Sequence, residues 1–218
     1  MRIDKIKIDK WKCLEDINIS FFRDMAPQIF IIGAYNGGGK TTLLELIFNA
    51  SQNLDWIAGK TEQDGFKIDF EVEPSDKIIG SRVFLATSTI KLEFRYKTDI
   101  YKLGFIDTSL SRDKLNLFIA KNNATNSNLL DANYFDSWST GETKRLGLYF
   151  WLTESVPPNS IVLIDNIEDG FHPDSQYNLI NDLLNWAPSN QYILASHSYD
   201  LCSALTPQHV IVIDKIPK

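Results

Sequence analysis

The spacing of hydrophobic residues along the chain predicts both strands and helices. Residues 3–8 and 17–21 alternate apolar with polar side chains, which is typical of strands with one buried face. Continuous apolar runs are typical of strands buried on both faces, and they occur at Ile29–Ile32, Ile161–Ile164, Tyr192–Ala195 and Val210–Ile213. Helical spacing occurs at residues 41–52, 143–154 and 175–186. Such strands interleaved with helices favour an α/β fold with a parallel core sheet.

The middle of the chain has a different pattern, in which strand-like segments follow one another without intervening helices. Residues 66–72 and 90–96 alternate clearly, while 101–106 and 115–120 are weaker strand candidates. Residues 121–133 are rich in Asn, Ser and Ala, which indicates an exposed loop. This pattern predicts an antiparallel β lobe beside the parallel sheet.

Composition and charge narrow the class of protein. The 218 residues are 44% hydrophobic, and 22 basic against 28 acidic residues give a net charge of −6. A chain of this charge is not a generic polyanion binder, so contact with DNA would need a local basic patch or a partner. No apolar run approaches the ~20 residues of a membrane helix. Since the chain also has no signal-peptide pattern and its two cysteines form no disulfide framework, we expect a cytoplasmic protein without membrane insertion.

The most specific chemical feature is a glycine-rich stretch between a buried strand and a helix. Glycines allow backbone N–H groups to turn inwards around a phosphate, and the N-terminal end of the following helix favours anions. Lys40 would reach the β- and γ-phosphates of a nucleotide, and the Thr41 hydroxyl would bind Mg²⁺. Ala34 stands where the usual pattern has its first glycine, but the glycines of the cradle remain. The predicted nucleotide-binding residues are Asn36, Gly37, Gly38, Gly39, Lys40, Thr41 and Thr42.

An acidic residue ends the second buried strand. Asp165 directly follows Ile161–Ile164, so it lies at the carboxyl end of a strand, where ligands bind in open α/β sheets. A single Asp in this position is usually a turn or cap residue, but the phosphate loop upstream favours a metal role. Its carboxylate would hold Mg²⁺ through a water molecule. ATP and Mg²⁺ are therefore the expected ligands, with Thr41 and Asp165 as the metal-binding residues.

Five separated motifs resemble those of the ABC-type ATPase heads of the SMC, RecF and OLD group, and they follow that group's order. Residues 3–17 are similar to its first hairpin, and residues 36–41 to its phosphate loop. Residues 138–142 resemble the ABC signature, residues 165–173 the Walker B and D-loop run, and residues 195–198 the Thr-His-Ser switch. The resemblance implies a P-loop NTPase fold with an ABC-type head, in which a mixed core sheet is flanked by helices and accompanied by an antiparallel β lobe.

The same motifs divide a single expected domain, residues 1–218, into four parts. These are N-terminal strands over 1–32, the phosphate loop and helix over 33–53, the antiparallel β lobe over 64–120, and the signature, Walker B and switch half over 134–218.

The signature predicts contact with a second copy of the chain. Ser139 is a good N-cap residue, and its hydroxyl and the first-turn amides of the helix form an anion site, which Thr140, Gly141 and Glu142 extend. The resemblance implies that this site contacts the γ-phosphate bound by a second subunit. Two nucleotides would then be sandwiched in a head-to-tail homodimer. It also implies that His197 contacts the γ-phosphate or the attacking water.

The residue after Asp165 departs from relatives that hydrolyse ATP, which usually carry Glu there. The Asn166 amide can orient water through its oxygen, but it cannot accept a proton at neutral pH. General acid–base catalysis contributes ~10²–10⁴-fold, so hydrolysis could be slower by about that factor. Three interpretations fit: a naturally slow or binding-only ATPase, partial compensation by Glu168 although strand alternation would point it to the opposite side, or an engineered substitution. We favour the first, and the catalytic candidates are Asn166, Glu168 and His197.

The number of residues between and after these motifs bears on which kinds of ATPase are expected. No heptad run lies between Lys40 and Ser139, so an SMC-type coiled coil is not expected. The chain ends soon after His197, which leaves no room for an OLD-type nuclease domain. We therefore expect a compact ATPase that dimerises on ATP and controls a separate effector protein, in DNA maintenance or antiphage defence. The alternatives are the nucleotide-binding subunit of an ABC transporter and a non-hydrolysing ATP sensor or scaffold.

Overall fold

The fold was analysed in a computed structural model, which describes most of the N-terminal and C-terminal parts of the chain and separate strands of its middle. The described residues are 2–52, 60–63, 65–71, 82–86, 92–96, 99–103, 141, 145, 148–149, 152–153, 156 and 158–213.

A four-stranded antiparallel sheet contains the N-terminal hairpin. Its strands are β1 (Arg2–Trp11), β2 (Leu14–Ser20), β4 (Lys60–Gln63) and β5 (Phe66–Glu71), in the order β2-β1-β5-β4. Ile6 and Ile8 are buried at alternate positions, as the sequence predicts. Ile3 is buried on the same side because the register between β1 and β5 shifts between Ile3 and Lys5, which reverses the alternation at that point.

The second sheet has seven strands in the order β11-β3-β10-β9-β6-β7-β8. Five strands are parallel: β3 (Ile29–Gly33), β6 (Arg82–Ala86), β9 (Ile161–Asp165), β10 (Gln191–Ser196) and β11 (Val210–Val212). At the other end of the sheet, β7 (Leu92–Tyr96) pairs antiparallel with β6, and the edge strand β8 (Asp99–Leu103) pairs antiparallel with β7. The carboxyl ends of β3, β9 and β10 therefore lie side by side at one edge of the sheet.

Hydrophobic cores cover both faces of this sheet, which confirms the prediction from the apolar runs for β3, β9 and β10. The prediction is wrong for the run at 210–213, because β11 is an edge strand and Val212 is 66% exposed. In β3, Ile29 and Ile31 belong to one core, while Phe30 and Ile32 belong to the other. The first core also contains residues of α2 (Pro173–Trp186) and Leu148, Tyr149 and Leu152. The second contains residues of α1 (Lys40–Gln52) and of the antiparallel sheet.

The described helices begin where local chemistry favours it. In α2, the His172 side chain accepts a hydrogen bond from the Asp174 backbone N–H, and Pro173 occupies the first turn. The short helix α3 (Tyr199–Ser203) is capped by Ser198, whose hydroxyl accepts from the Leu201 N–H. No helix in these parts of the chain is both long and apolar enough to span a bilayer.

The structure distributes the strands of residues 64–120 differently from the expected lobe. β5 completes the N-terminal antiparallel sheet, whereas β6 pairs in parallel with β9 and brings β7 and β8 into the core sheet. The physical reason is that β9, being buried on both faces, requires a hydrogen-bonded neighbour on each side. The strand predicted at 115–120 and the loop predicted at 121–133 lie outside the described residues.

Candidate functional site

The loop between β3 and α1 needs glycine at two positions, and at the second of them for two reasons. Gly37 and Gly39 have φ of 80° and 92°, in the left-handed region that side chains disfavour. A Cβ on Gly39 would also lie 2.6 Å from Leu14 Cδ2 and 3.2 Å from Cys13 Sγ. The turn of the β1–β2 hairpin thus packs directly on the phosphate loop. The sequence did not reveal this contact, because nothing in the hairpin's own pattern specifies what its turn touches.

Lys40 is held in place by the loop that precedes it. Only 6% of the residue is exposed, and its Nζ donates to the carbonyl oxygens of Ala34 and Tyr35 at 2.9 and 3.3 Å. The departure from glycine at Ala34 leaves this contact intact, since it uses the backbone. Lys40 Nζ also lies 3.2 Å from His197 Nδ1. Because an ammonium group can only donate, Nδ1 accepts and the imidazole proton resides on Nε2.

Thr41 and Asp165 meet across the gap between α1 and β9. The Thr41 hydroxyl donates to Asp165 Oδ2 at 2.6 Å, and Asp165 is 5% exposed. Burial raises the pKa of the Asp165 carboxyl, while the Thr41 hydroxyl, the Asn166 backbone amide and the charge of Lys40 oppose that rise. A hydroxyl and a carboxylate are oxygen ligands of the kind that Mg²⁺ prefers. These two residues therefore fit the metal that the sequence predicts.

Asn166 adopts a backbone conformation that suits asparagine. Its φ is 48°, and Asn is one of the few residues other than Gly that are found in the left-handed region with any frequency. The Asn166 carbonyl accepts from the Asp169 N–H at 3.1 Å, which starts a turn directly after β9. The strand alternation assumed for Glu168 consequently does not apply, since β9 ends at Asp165.

Glu168 binds the backbone of the switch segment. Its Oε1 accepts a hydrogen bond from the His197 N–H at 2.7 Å. The carboxylate therefore joins the turn after β9 to the end of β10. Glu168 does not line the cavity that the phosphate loop forms.

The phosphate loop, Asn166 and His197 enclose one cavity of about 220 Å³. All seven predicted nucleotide-binding residues line it: Asn36, Gly37, Gly38, Gly39, Lys40, Thr41 and Thr42. The cavity lies at the carboxyl edge of the sheet, next to the ends of β3, β9 and β10, which is the usual ligand position in an open α/β sheet. The structure thus brings together residues that are far apart in the sequence.

Comparison with known proteins gives the family of the chain. The model of the AAA_23 family, described as an AAA domain, matches residues 5–182. The chain belongs to the AAA domain family. No curated protein matches its sequence at a significant level.

Solved structures are similar to the chain at low sequence identity. An SMC head bound to the C-winged helix domain of ScpA is 13% identical, with a TM-score of 0.55 over 99% of this chain and 94% of that chain. The dimeric bacterial ABC transporter cassette MJ0796 is 14% identical, with a TM-score of 0.48 over 97% and 93%. The SMC head from Thermotoga maritima is 12% identical, with a TM-score of 0.45 over 94% and 93%. The first match and the family model confirm the predicted P-loop ATPase head fold of the SMC type.

Of the four predicted signature residues of this AAA domain, 139–142, the structure describes Gly141. Gly141 is helical, and a Cβ there would lie 2.8 Å from the Gly170 carbonyl oxygen, so the helix backbone packs closely against the turn after β9. Ser139, Thr140 and Glu142 lie outside the described residues.

Two further described residues that follow the signature, Arg145 and Tyr149, contact α2, and the sequence assigned neither of them this contact. Arg145 Nε and Nη2 donate to the two carboxylate oxygens of Asp182 at 2.6 and 2.7 Å. The Tyr149 ring packs edge-on against Trp186, with centroids 5.4 Å apart. Residues 141, 145 and 149 are helical and follow i, i+4 spacing, so these three residues share one side, which faces the turn after β9 and α2. This spacing is the sequence signal that could have revealed these contacts.

Proposed function

We propose that this AAA domain binds ATP with Mg²⁺ in the cavity above β3, β9 and β10. The observation that carries the proposal is the convergence of Lys40, Thr41, Asp165 and His197 at the rim of the phosphate loop. Lys40 supplies positive charge for the β- and γ-phosphates, and the loop supplies backbone N–H groups. Thr41 and Asp165 hold the metal, which neutralises phosphate charge when it is bound.

Hydrolysis is proposed to be slow. Asn166 lines the cavity at the position next to Asp165, and its amide can orient water without accepting a proton. His197 contributes an Nε2–H donor for the γ-phosphate. Without a general base, the rate is expected to be ~10²–10⁴-fold below that of a domain with Glu at this position. The ATP-bound state would therefore be long-lived, and it is the output that we assign to the protein.

We further propose that the ATP-bound state is a head-to-tail homodimer. The support is the resemblance of residues 139–142 to the ABC signature, which implies contact with the γ-phosphate bound by a second subunit. It would supply an N-terminal helix anion site to the nucleotide on the second subunit. The dimer would act on a separate effector protein, and DNA maintenance or antiphage defence is the setting that the resemblance to RecF and OLD heads suggests.

Sizing chromatography with light scattering tests this function. The wild type is measured alone, with ADP–Mg²⁺ and with ATP–Mg²⁺, and we expect a dimer only with ATP. Lys40→Ala is the loss-of-binding variant, and Lys7→Ala is the matched control, because Lys7 is an exposed hairpin lysine that pairs with Asp9. A wild type that stays monomeric with ATP while it binds the nucleotide contradicts the dimer and leaves the binding proposal standing.

The sensor alternative has its own supporting observation, namely Asn166. Single-turnover phosphate release separates the two: a slow ATPase releases phosphate stoichiometrically over hours, whereas a non-hydrolysing sensor retains ATP. The transporter alternative predicts dependence on a membrane permease encoded nearby, whereas the proposed function predicts a nuclease or another effector in that place.

A further inference from the structure

The switch segment at the end of β10 is anchored on both sides. On one side, the Ser198 hydroxyl donates to Gln176 Oε1 of α2 at 2.5 Å, and its oxygen caps α3 through the Leu201 N–H at 3.1 Å. On the other side, Glu168 Oε1 accepts from the His197 N–H at 2.7 Å. These bonds hold the backbone at His197 and Ser198, while the exposed His197 side chain contacts Lys40 Nζ through Nδ1 at 3.2 Å.

The geometry of Glu168 does not suit a catalytic base. Its carboxylate contacts a backbone N–H, and it does not belong to the residues that line the nucleotide cavity. Its second oxygen, Oε2, is buried and has no hydrogen-bond partner within the described part of the chain. A group that is to accept a proton from the attacking water must reach that water within hydrogen-bond distance, directly or through one other water.

We propose that Glu168 is a positioning residue that sets the His197 imidazole against Lys40 and the γ-phosphate end of the cavity. This role rests on the proposed ATP-binding function. The contact chain is short and continuous: Glu168 Oε1 holds the His197 N–H at 2.7 Å, and His197 Nδ1 lies 3.2 Å from Lys40 Nζ. It makes the turn after β9 and the switch one unit, so the position of the ring follows the position of Asn166 and Asp165.

The positioning role and the base role differ in what they require of the side chain. Positioning requires an acceptor oxygen at Oε1, which the amide of Gln supplies as well as a carboxylate. General-base catalysis requires an ionisable group, and Gln lacks one. Glu168→Gln therefore retains function if the residue positions His197, whereas it loses ~10²–10⁴-fold in hydrolysis rate if the residue is the base.

The experiment compares wild type, Glu168→Gln and Glu168→Ala. Dissociation constants for ATP–Mg²⁺ and ADP–Mg²⁺ are measured by calorimetry, and hydrolysis is measured by single-turnover phosphate release. Loss of a charge-assisted hydrogen bond is expected to weaken ATP binding by Glu168→Ala roughly 10-fold or more, because the γ-phosphate contact is displaced. ADP binding should be unchanged within about 2-fold, since the other phosphate contacts remain. Asp174→Asn, which removes an exposed carboxylate from α2, is the charge control.

A double-mutant cycle with His197→Ala decides whether Glu168 acts through the imidazole. We expect Glu168→Ala to have little further effect on ATP affinity once the ring is absent, which would be non-additive behaviour. Additive losses, or a Glu168→Gln variant as impaired as Glu168→Ala, would overturn the inference. Thermal unfolding of each variant identifies any that fail to fold, in which case Glu168→Gln alone still separates the two roles. A wild type without ATP affinity would instead refute the proposed function.

Discussion

Asn166→Glu places the usual catalytic residue of hydrolysing relatives in a backbone conformation that suits Asn. The φ of 48° lies in the left-handed region, where the Cβ of an ordinary side chain approaches the following carbonyl oxygen. Asn tolerates this conformation better than Glu, and we estimate the difference at about 1 kcal/mol. The substitution would also place a second carboxylate beside Asp165. Because burial already raises the pKa of the Asp165 carboxyl, ionising both groups adds repulsion.

We therefore expect Asn166→Glu to be less stable than the wild type and to hydrolyse ATP faster. For a chain of about 150–250 residues, a loss of 1 kcal/mol lowers the melting temperature by about 2–4 °C. Thermal unfolding without nucleotide measures that loss, and single-turnover phosphate release measures the gain in rate, up to ~10²–10⁴-fold. Asn166→Gln is the matched control, because it has the backbone penalty of the longer side chain without the charge.

Two outcomes would refute this reasoning separately. If Asn166→Gln melts at the wild-type temperature, then the left-handed conformation does not explain why Asn occupies the position. If Asn166→Glu hydrolyses ATP no faster than the wild type, then the missing carboxylate does not limit the rate.

Three other predictions follow from particular contacts. Gly39→Ala should abolish nucleotide binding in calorimetry, because its Cβ would lie 2.6 Å from Leu14 Cδ2; a variant that binds ATP normally would contradict the packing of the hairpin on the loop. Asp182→Ala should lower the free energy of unfolding by about 2 kcal/mol, measured in urea, because it removes both hydrogen bonds from the Arg145 guanidinium. Burial raises the pKa of the Cys202 thiol, so its alkylation at pH 8 should be slower in the native protein than in an unfolded control, and its rate should rise at a higher pH. Equal alkylation rates in the two states would contradict this expectation.

The phosphate loop was predictable because its chemistry is local. Glycines, Lys40 and Thr41 are consecutive in the sequence, and the flanking strand and helix have clear patterns of their own. The position of Asp165 was predictable for a similar reason, since the apolar run of β9 shows where the strand ends. The fold class followed from the same apolar runs.

Contacts between distant segments were not predictable in this way. β6 joins the core sheet because β9 needs a neighbour, and this depends on the whole sheet rather than on residues 82–86. The bond between Glu168 and the His197 N–H depends on how the turn after β9 bends, which the alternation of a strand does not describe. The same holds for the approach of the β1–β2 turn to Gly39.

The central claim is that Lys40 and the surrounding loop bind ATP–Mg²⁺, and calorimetric titration tests it most directly. Wild type and the exposed-lysine control Lys7→Ala should bind ATP–Mg²⁺ with the same affinity. Lys40→Ala should bind roughly 10- to 100-fold more weakly, because it loses a charge-assisted contact with the phosphates. Equal affinity of Lys40→Ala and wild type, or no binding by the folded wild type, would contradict the account.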